Sequence, residues 1–250
     1  MAKHVIRPIP LYKIDNWSRY LETFLMDFGP PLTGVIYSWY IEGPEKNILV
    51  DVGGTAETLR PFLPIISPNA TAENIQSVEE GLSRLGLKPE DIDIVILTQM
   101  HLDHVENARK FTKAKFVVQK AELEFANNPH PIVAALYVKP FYEGLNFEVI
   151  EGDKEIVEGV RVLFTPGHTA GGQSVVIDTA KGTAIISGFC CIRDNFEPPE
   201  PLKEMIPVIV PGVHILSPIE LYDNLLKVKK LGDILIANHD AEYLDKERIP

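Results

Sequence analysis

Apolar and polar positions change rhythm several times along this 250-residue chain, and each change marks an element. The stretch 33–41 is aromatic and β-branched and predicts a strand. Residues 47–52 predict a second, stopped by Gly53-Gly54, with the Pro-Glu-Lys-Asn stretch before it as a turn. Over 72–85, Ile75, Val78, Leu82 and Leu85 recur at helical spacing, and Gly86 follows as a stop signal. The run 92–98 is continuously apolar, the pattern of a strand covered on both faces. A loop with a short helix leads through His104. Residues 115–118 predict another strand, and 121–126 open a helix.

The second half repeats the mixture with more strands: 147–150, 160–165, 174–178 and 183–187. A helix over 221–231 and a last strand over 234–237 close the series. Sheets in both halves with helices outside predict an α/β fold, a four-layer αβ/βα sandwich. Two stretches give no clear element. Residues 15–31 carry Trp17, Tyr20, Phe24, Met26 and Phe28. Residues 198–218 are proline-rich and carry Ile206, Val208, Ile209 and Val210. Pocket walls, lids, a subunit contact or ordinary loop packing are the readings open to both.

Composition narrows the function classes. Apolar residues make up 45% of the chain, enough for a large core without staples. The net charge of −11 argues against a nucleic-acid partner, since the short cluster Lys227, Lys229 and Lys230 reads as a solvated helix face. The two cysteines, Cys190 and Cys191, are adjacent, a spacing that strains a disulfide. With no apolar leader over 1–10 and no run as long as a membrane span, a soluble cytoplasmic protein is expected.

The candidate chemistry lies at strand ends. Gln99-Met100-His101-Leu102-Asp103-His104 follows the buried run 92–98, so several potential ligands sit where a strand fixes their backbone. Thr165-Pro166-Gly167-His168-Thr169 ends a second strand, and Ala237-Asn238-His239-Asp240 ends the last. Three strand ends each deliver histidine in a chain with seven histidines, which chance rarely arranges. His and Asp suit zinc, iron or manganese. His4, His130 and His214 lack such placement and read as structural or surface residues.

These motifs resemble the metallo-β-lactamase superfamily, whose signature is H-x-H-x-D-H followed by Gly-His and a last His. The N-acyl-homoserine lactonase branch is the most similar. Ile48-Leu49-Val50-Asp51-Val52-Gly53, Ile150-Glu151-Gly152-Asp153, Phe164-Thr165-Pro166-Gly167-His168-Thr169, Gln173-Ser174 and Asn195-Phe196-Glu197 carry that likeness across roughly 33–240. The resemblance implies a metallo-β-lactamase-type sandwich over 1–250, with αβ halves at roughly 1–128 and 145–250. It implies one metal position at Gln99, His101 and His168 and another at Asp103, His104 and His239. Asp51 then orients a ligand or the nearby loop, the alternative being a strand-end turn residue.

The sequence departs from that pattern at three places. Gln99 replaces the first histidine and offers only a neutral carbonyl oxygen. In Ser187-Gly188-Phe189, Phe189 takes the place of the aspartate that bridges two metals in lactonases. Unit charges 4 Å apart repel by about 4 kcal/mol at an effective dielectric near 20, and dications by roughly fourfold more, so losing a bridging carboxylate weakens a two-metal site. Ile192 stands where lactonases carry a tyrosine that polarises the substrate carbonyl. Cys190 reads either as a thiolate ligand or as a buried inert thiol.

The expectation is therefore a metal-dependent hydrolase of a small lactone or related ester or acyl substrate. It has one tightly bound metal, zinc first and iron or manganese as alternatives, at Asp103, His104 and His239. Asp103 orients the nucleophile and moves a proton, and the stretch 17–28 lines an acyl pocket. A family member that binds a ligand without hydrolysis, and a mononuclear iron redox enzyme, are the rival readings. A small-molecule partner, no membrane and a homodimer complete the set.

Overall fold

The computed structural model describes residues 3–24, 26, 29–43, 45–213 and 216–250. Phe28 and His214 lie outside these. The first sheet holds β1 (Val5–Trp17), β2 (Leu32–Glu42), β3 (Ile48–Val50), β4 (Thr71–Asn74), β5 (Ile94–Ile96), β6 (Lys115–Gln119) and β7 (Phe147–Ile150). The second holds β8 (Lys154–Val157), β9 (Val160–Phe164), β10 (Gln173–Thr179), β11 (Gly182–Ile186) and β12 (Ile234–Ile236). The orders are β4-β1-β2-β3-β5-β6-β7 and β12-β11-β10-β9-β8. Helices are α1 (Arg19–Glu22), α2 (Ala56–Leu59), α3 (Leu63–Ile66), α4 (Val78–Arg84), α5 (Leu102–Val105), α6 (Lys120–Asn127), α7 (Lys139–Tyr142), α8 (Arg193–Phe196) and α9 (Pro218–Leu231). None described is long and apolar enough to cross a membrane.

Alternation along the strands explains the layering. In β2, Val35, Tyr37, Trp39 and Ile41 face a core between the sheets, while Ile36 and Tyr40 face the helices outside. In β10, Val175 and Ile177 join the same inter-sheet core, and Val176 packs outward with Leu221, Leu225 and Val228 of α9. Both faces of each sheet are thus apolar, which is why these strands read as unbroken runs. The predicted four-layer sandwich is what the chain forms.

Two expectations are corrected. The helix expected over 72–85 is a strand followed by a shorter helix. Thr71–Asn74 pairs antiparallel with Tyr12–Asp15 of β1, and Ile75 is exposed. The helix starts only at Val78, where Ser77 and Glu80 form a reciprocal capping box. Residues 5–17, which showed no strand signal, form the longest strand. Pro8 and Pro10 fit there because Ile6, on the same parity, turns its N–H away from β2 to Ile249 O, and β4 covers only Tyr12–Asp15. The missing proline N–H groups therefore cost no ladder bond.

Candidate metal centre

The site lies where β3, β5, β9 and β12 end. After β3, Asp51 takes a left-handed turn, φ 54°, an uncommon conformation for a residue with a Cβ. That turn buries its carboxylate against the end of β5. Thr98 donates its backbone N–H to Oδ1 and its hydroxyl to Oδ2, both at 2.7 Å. His104 Nδ1 lies 2.8 Å from Oδ2. Asp51 is thus both a strand-end turn residue and the group that orients His104.

The other histidines are anchored in the same manner. His168 Nδ1 donates to Val213 O at 2.7 Å, and His239 Nδ1 lies 3.4 Å from Val35 O. The backbone of His239 bonds Cys191 O and Val35 N, which seats the loop after β12 between the two sheets. With their Nδ1 atoms so occupied, His168 and His239 turn Nε2 into a shared cleft. Nε2 of His101, His168 and His239 and Oε1 of Gln99 are all buried without a hydrogen-bond partner. Orphaned buried polar atoms are costly, and a bound cation satisfies several together.

The structure brings all six expected residues together. Ligand atoms of Asp103, His104 and His239 lie within 4.8 Å of one another. The rings of His101 and His168 are 5.2 Å apart, and those of His104 and His239 are 5.3 Å apart. The Gln99 amide nitrogen sits 2.9 Å from His104 Nε2 and so touches the first group as well as belonging to the second. Asp103 Oδ2 is 3.3 Å from the same His104 atom.

Electrostatics divide the imidazoles. Burial acts to lower His104, but the carboxylates of Asp103 and Asp51 outweigh it and push it up to about 10. Burial would raise Asp103, yet His104 and its neighbouring imidazoles hold it well below the usual carboxylate range. Burial lowers His168 and His239 to about 4, so at neutral pH both are unprotonated and ready to ligate.

Of the departures, Phe189 turns away from the cleft. Its ring is buried in the outer core with Leu225 and Val228. Ile192 is also buried and precedes α8, where its N–H bonds Asn195 Oδ1 at 2.7 Å. The residue of this turn that lines the cleft is Cys190. No carboxylate enters from residues 187–192. The thiolate reading of Cys190 meets an obstacle in its surroundings: burial and the nearby Glu22 carboxyl push the thiol up.

Two functional candidates escaped the sequence. Glu122 of α6, fully buried, accepts from Met100 N at 2.9 Å and Gly171 N at 2.8 Å, tying the loops of His101 and His168 together. Glu22 of α1, 1% exposed, lines the cleft. Of the stretch 17–28, expected to line an acyl pocket, Trp17, Leu21 and Glu22 reach the cleft. Tyr12, Ile14, Trp17 and Leu21 line the cleft, while Tyr20 is exposed. From the proline-rich stretch, Val213 joins them, and Val208 is packed into the outer core.

Two facing sheets with histidines and an aspartate gathered at their strand ends define an α/β protein with a candidate metal site between its halves. The chain belongs to the metallo-beta-lactamase superfamily, whose family model matches residues 32–188. It is 29% identical over 225 residues to the N-acyl homoserine lactonase AiiA of Bacillus thuringiensis subsp. kurstaki, covering 86% of this chain and 84% of that one. It is 30% identical over 177 residues to a probable metallo-hydrolase of Methanocaldococcus jannaschii, 71% of each chain. Among solved structures, an N-acyl homoserine lactone hydrolase with N-hexanoyl-L-homoserine at its catalytic metal centre matches with TM-score 0.77 across 100% of both chains, at 24% identity, a likeness of fold.

Proposed function

We propose that the chain is a metal-dependent hydrolase that opens a small lactone or cleaves a related ester or acyl compound. The observation that carries this reading is the set of buried, unpartnered Nε2 atoms of His101, His168 and His239, turned into a cleft with an apolar wall. Asp103, His104 and His239 would hold the tighter metal, zinc first, with Gln99, His101 and His168 forming a weaker position. A metal held there would make a nearby water more acidic and act as a Lewis acid toward the acyl carbonyl. Asp103, half-buried at the rim of the cluster, orients the attacking water and accepts its proton. The apolar side chains of Ile14, Trp17 and Leu21 would take the hydrocarbon part of the substrate and exclude water from it.

Metal analysis of protein purified without added metal is expected to give about one equivalent. Two tightly held equivalents would overturn the one-metal form. Hydrolysis of a lactone panel is expected from the loaded wild type, and His104→Ala should abolish it. Turnover retained by that variant would remove the metal centre from the chemistry. Tight metal with no hydrolysis of lactones, thioesters or β-lactams would favour a ligand-binding role, which the neutral Gln99 and the turn 187–192 without a carboxylate support.

A further inference from the structure

Glu22 is a carboxyl group in an unusual place. It comes from a four-residue helix, yet its backbone and neighbours are fastened from several directions. Asn195 Nδ2 donates to Glu22 O at 2.6 Å, Thr23 Oγ1 to Arg19 O at 2.8 Å, and Arg19 pairs with Asp194 of α8 at 2.8 Å. The residue is 1% exposed. Its partners are the Trp17 indole N–H, 2.8 Å from Oε1, and the Cys190 thiol, 3.6 and 3.7 Å from its two oxygens. Among the described residues no lysine or arginine pairs with it. It faces the cleft also lined by Gln99, His101, Asp103, His168 and His239.

A buried carboxyl without a cation is costly as an anion and comfortable as an acid. The acidic groups facing it, Asp103 from α5 and Asp240 after β12, add to that, while the neutral thiols of Cys190 and Cys191 follow β11. Burial is the largest influence and pushes Glu22 up to about 7, against the indole and thiol donors that pull it down. A bound dication draws that value back, so protonation has to be read in the loaded protein.

We propose that Glu22 is the general acid of this site, giving its proton to the oxygen that leaves the acyl carbon. The inference rests on the hydrolase reading above and deepens it. Water adds to the acyl carbon. The carbon–oxygen bond breaks with its electron pair on the departing oxygen. The Glu22 carboxyl gives that oxygen its proton, and the proton that Asp103 takes from the attacking water passes on through solvent to the Glu22 carboxylate. An ester gives a carboxylic acid and an alcohol, a lactone a single hydroxy acid that carries both groups, and Glu22 is regenerated. Cys190 and Trp17 hold the carboxyl toward the cleft by donating to it, so both act as positioning residues.

The test uses the metal-loaded protein, an alkyl lactone and an aryl ester of similar size. An alkoxide needs a proton to leave, while a phenolate leaves without one. Glu22→Gln keeps the acceptor oxygen for Trp17 and the shape of the side chain. It is expected to lose about 100-fold or more in kcat on the lactone, the usual scale of acid catalysis, with little loss on the aryl ester. Its metal content should stay that of the wild type. The alkaline limb of the wild-type lactone profile should vanish in the variant. Glu22→Asp, an acid set back by one methylene, should recover part of the lactone rate. Infrared difference spectra between wild type and Glu22→Gln should show a protonated carboxyl band below neutral pH. Equal losses on both substrates, an unmoved alkaline limb or no carboxyl band would overturn the acid role while leaving the hydrolase reading standing. A loaded wild type inert on both substrates would remove the hydrolase reading, and the acid role with it.

Discussion

At the scale of single residues, His104 is the most heavily constrained side chain of the site. Asp51 holds Nδ1 at 2.8 Å and Asp103 stands 3.3 Å from Nε2. In the metal-free protein its imidazole therefore keeps a proton through neutral pH and up to about 10. The folded state then binds more protons than the unfolded state from the ordinary value of 6.5 upward. This contribution to stability is complete below pH 6.5 and is lost as pH rises through about 10. His168 and His239 act in the opposite sense. Lowered to about 4, they stay neutral when folded and cost stability as pH falls from 6.5. Metal-free protein should thus be most stable near pH 6.5, declining on both sides. Thermal melts across pH would check this. Asp51→Asn should lower stability and flatten the alkaline decline, and a variant with the same alkaline slope would show that Asp51 does not hold the His104 proton.

At the scale of elements, the legible parts of the chain are those whose own pattern decides their structure. The runs of β2, β3, β5, β10 and β11 were readable because both faces are covered. The histidine-bearing turns were readable because they follow such runs. β1 was hidden by Pro8 and Pro10, whose tolerance depends on pairing with β2 and on an edge that only the assembled sheet reveals. α1 was hidden because four residues carry little periodicity and Asp194 and Asn195, far along the chain, hold it. Glu22 was missed for that reason; Glu122 was missed because, although its helix was legible, the approach of that helix to the site is tertiary. The Glu122 contact requires a glycine opposite. A Cβ on Gly171 would lie 2.2 Å from Glu122 N and 2.7 Å from its Cα, so α6 or the His168 loop must move. Gly171→Ala should cost about 1–3 kcal/mol by overpacking. It should also weaken metal binding, because the same shift separates the loops of His101 and His168. Chemical denaturation and metal titration would check the pair of effects. A loss of stability with metal affinity unchanged would mean that Glu122 braces the fold and not the site.

At the scale of the whole molecule, the candidate metal ligands come from both halves of the sandwich. Asp103 and His104 follow a strand of the first sheet, while His239 follows the last strand of the second. The halves already meet through the inter-sheet core and through Trp39, whose indole donates to Asn238 Oδ1 at 2.8 Å, next to His239. A ligand that binds only the folded state adds RT ln(1 + [L]/Kd), about 4 kcal/mol at a thousandfold excess over Kd. For a protein of this size each kcal/mol moves Tm by about 2–4 °C, so metal at that excess should raise Tm by about 8–16 °C over chelated protein. The net charge of −11 adds to the effect, since a cation also relieves part of the self-repulsion of the folded chain. His239→Ala removes the second-sheet ligand and should abolish most of this rise. His168→Ala should leave most of it, because the proposed reading assigns His168 to the weaker position. Calorimetry of the wild type and both variants, with metal and after chelation, separates the two positions. An equal loss of the metal-dependent rise in both variants would mean that the two positions fill together, as a coupled pair, and that Asp103, His104 and His239 do not bind the first cation alone.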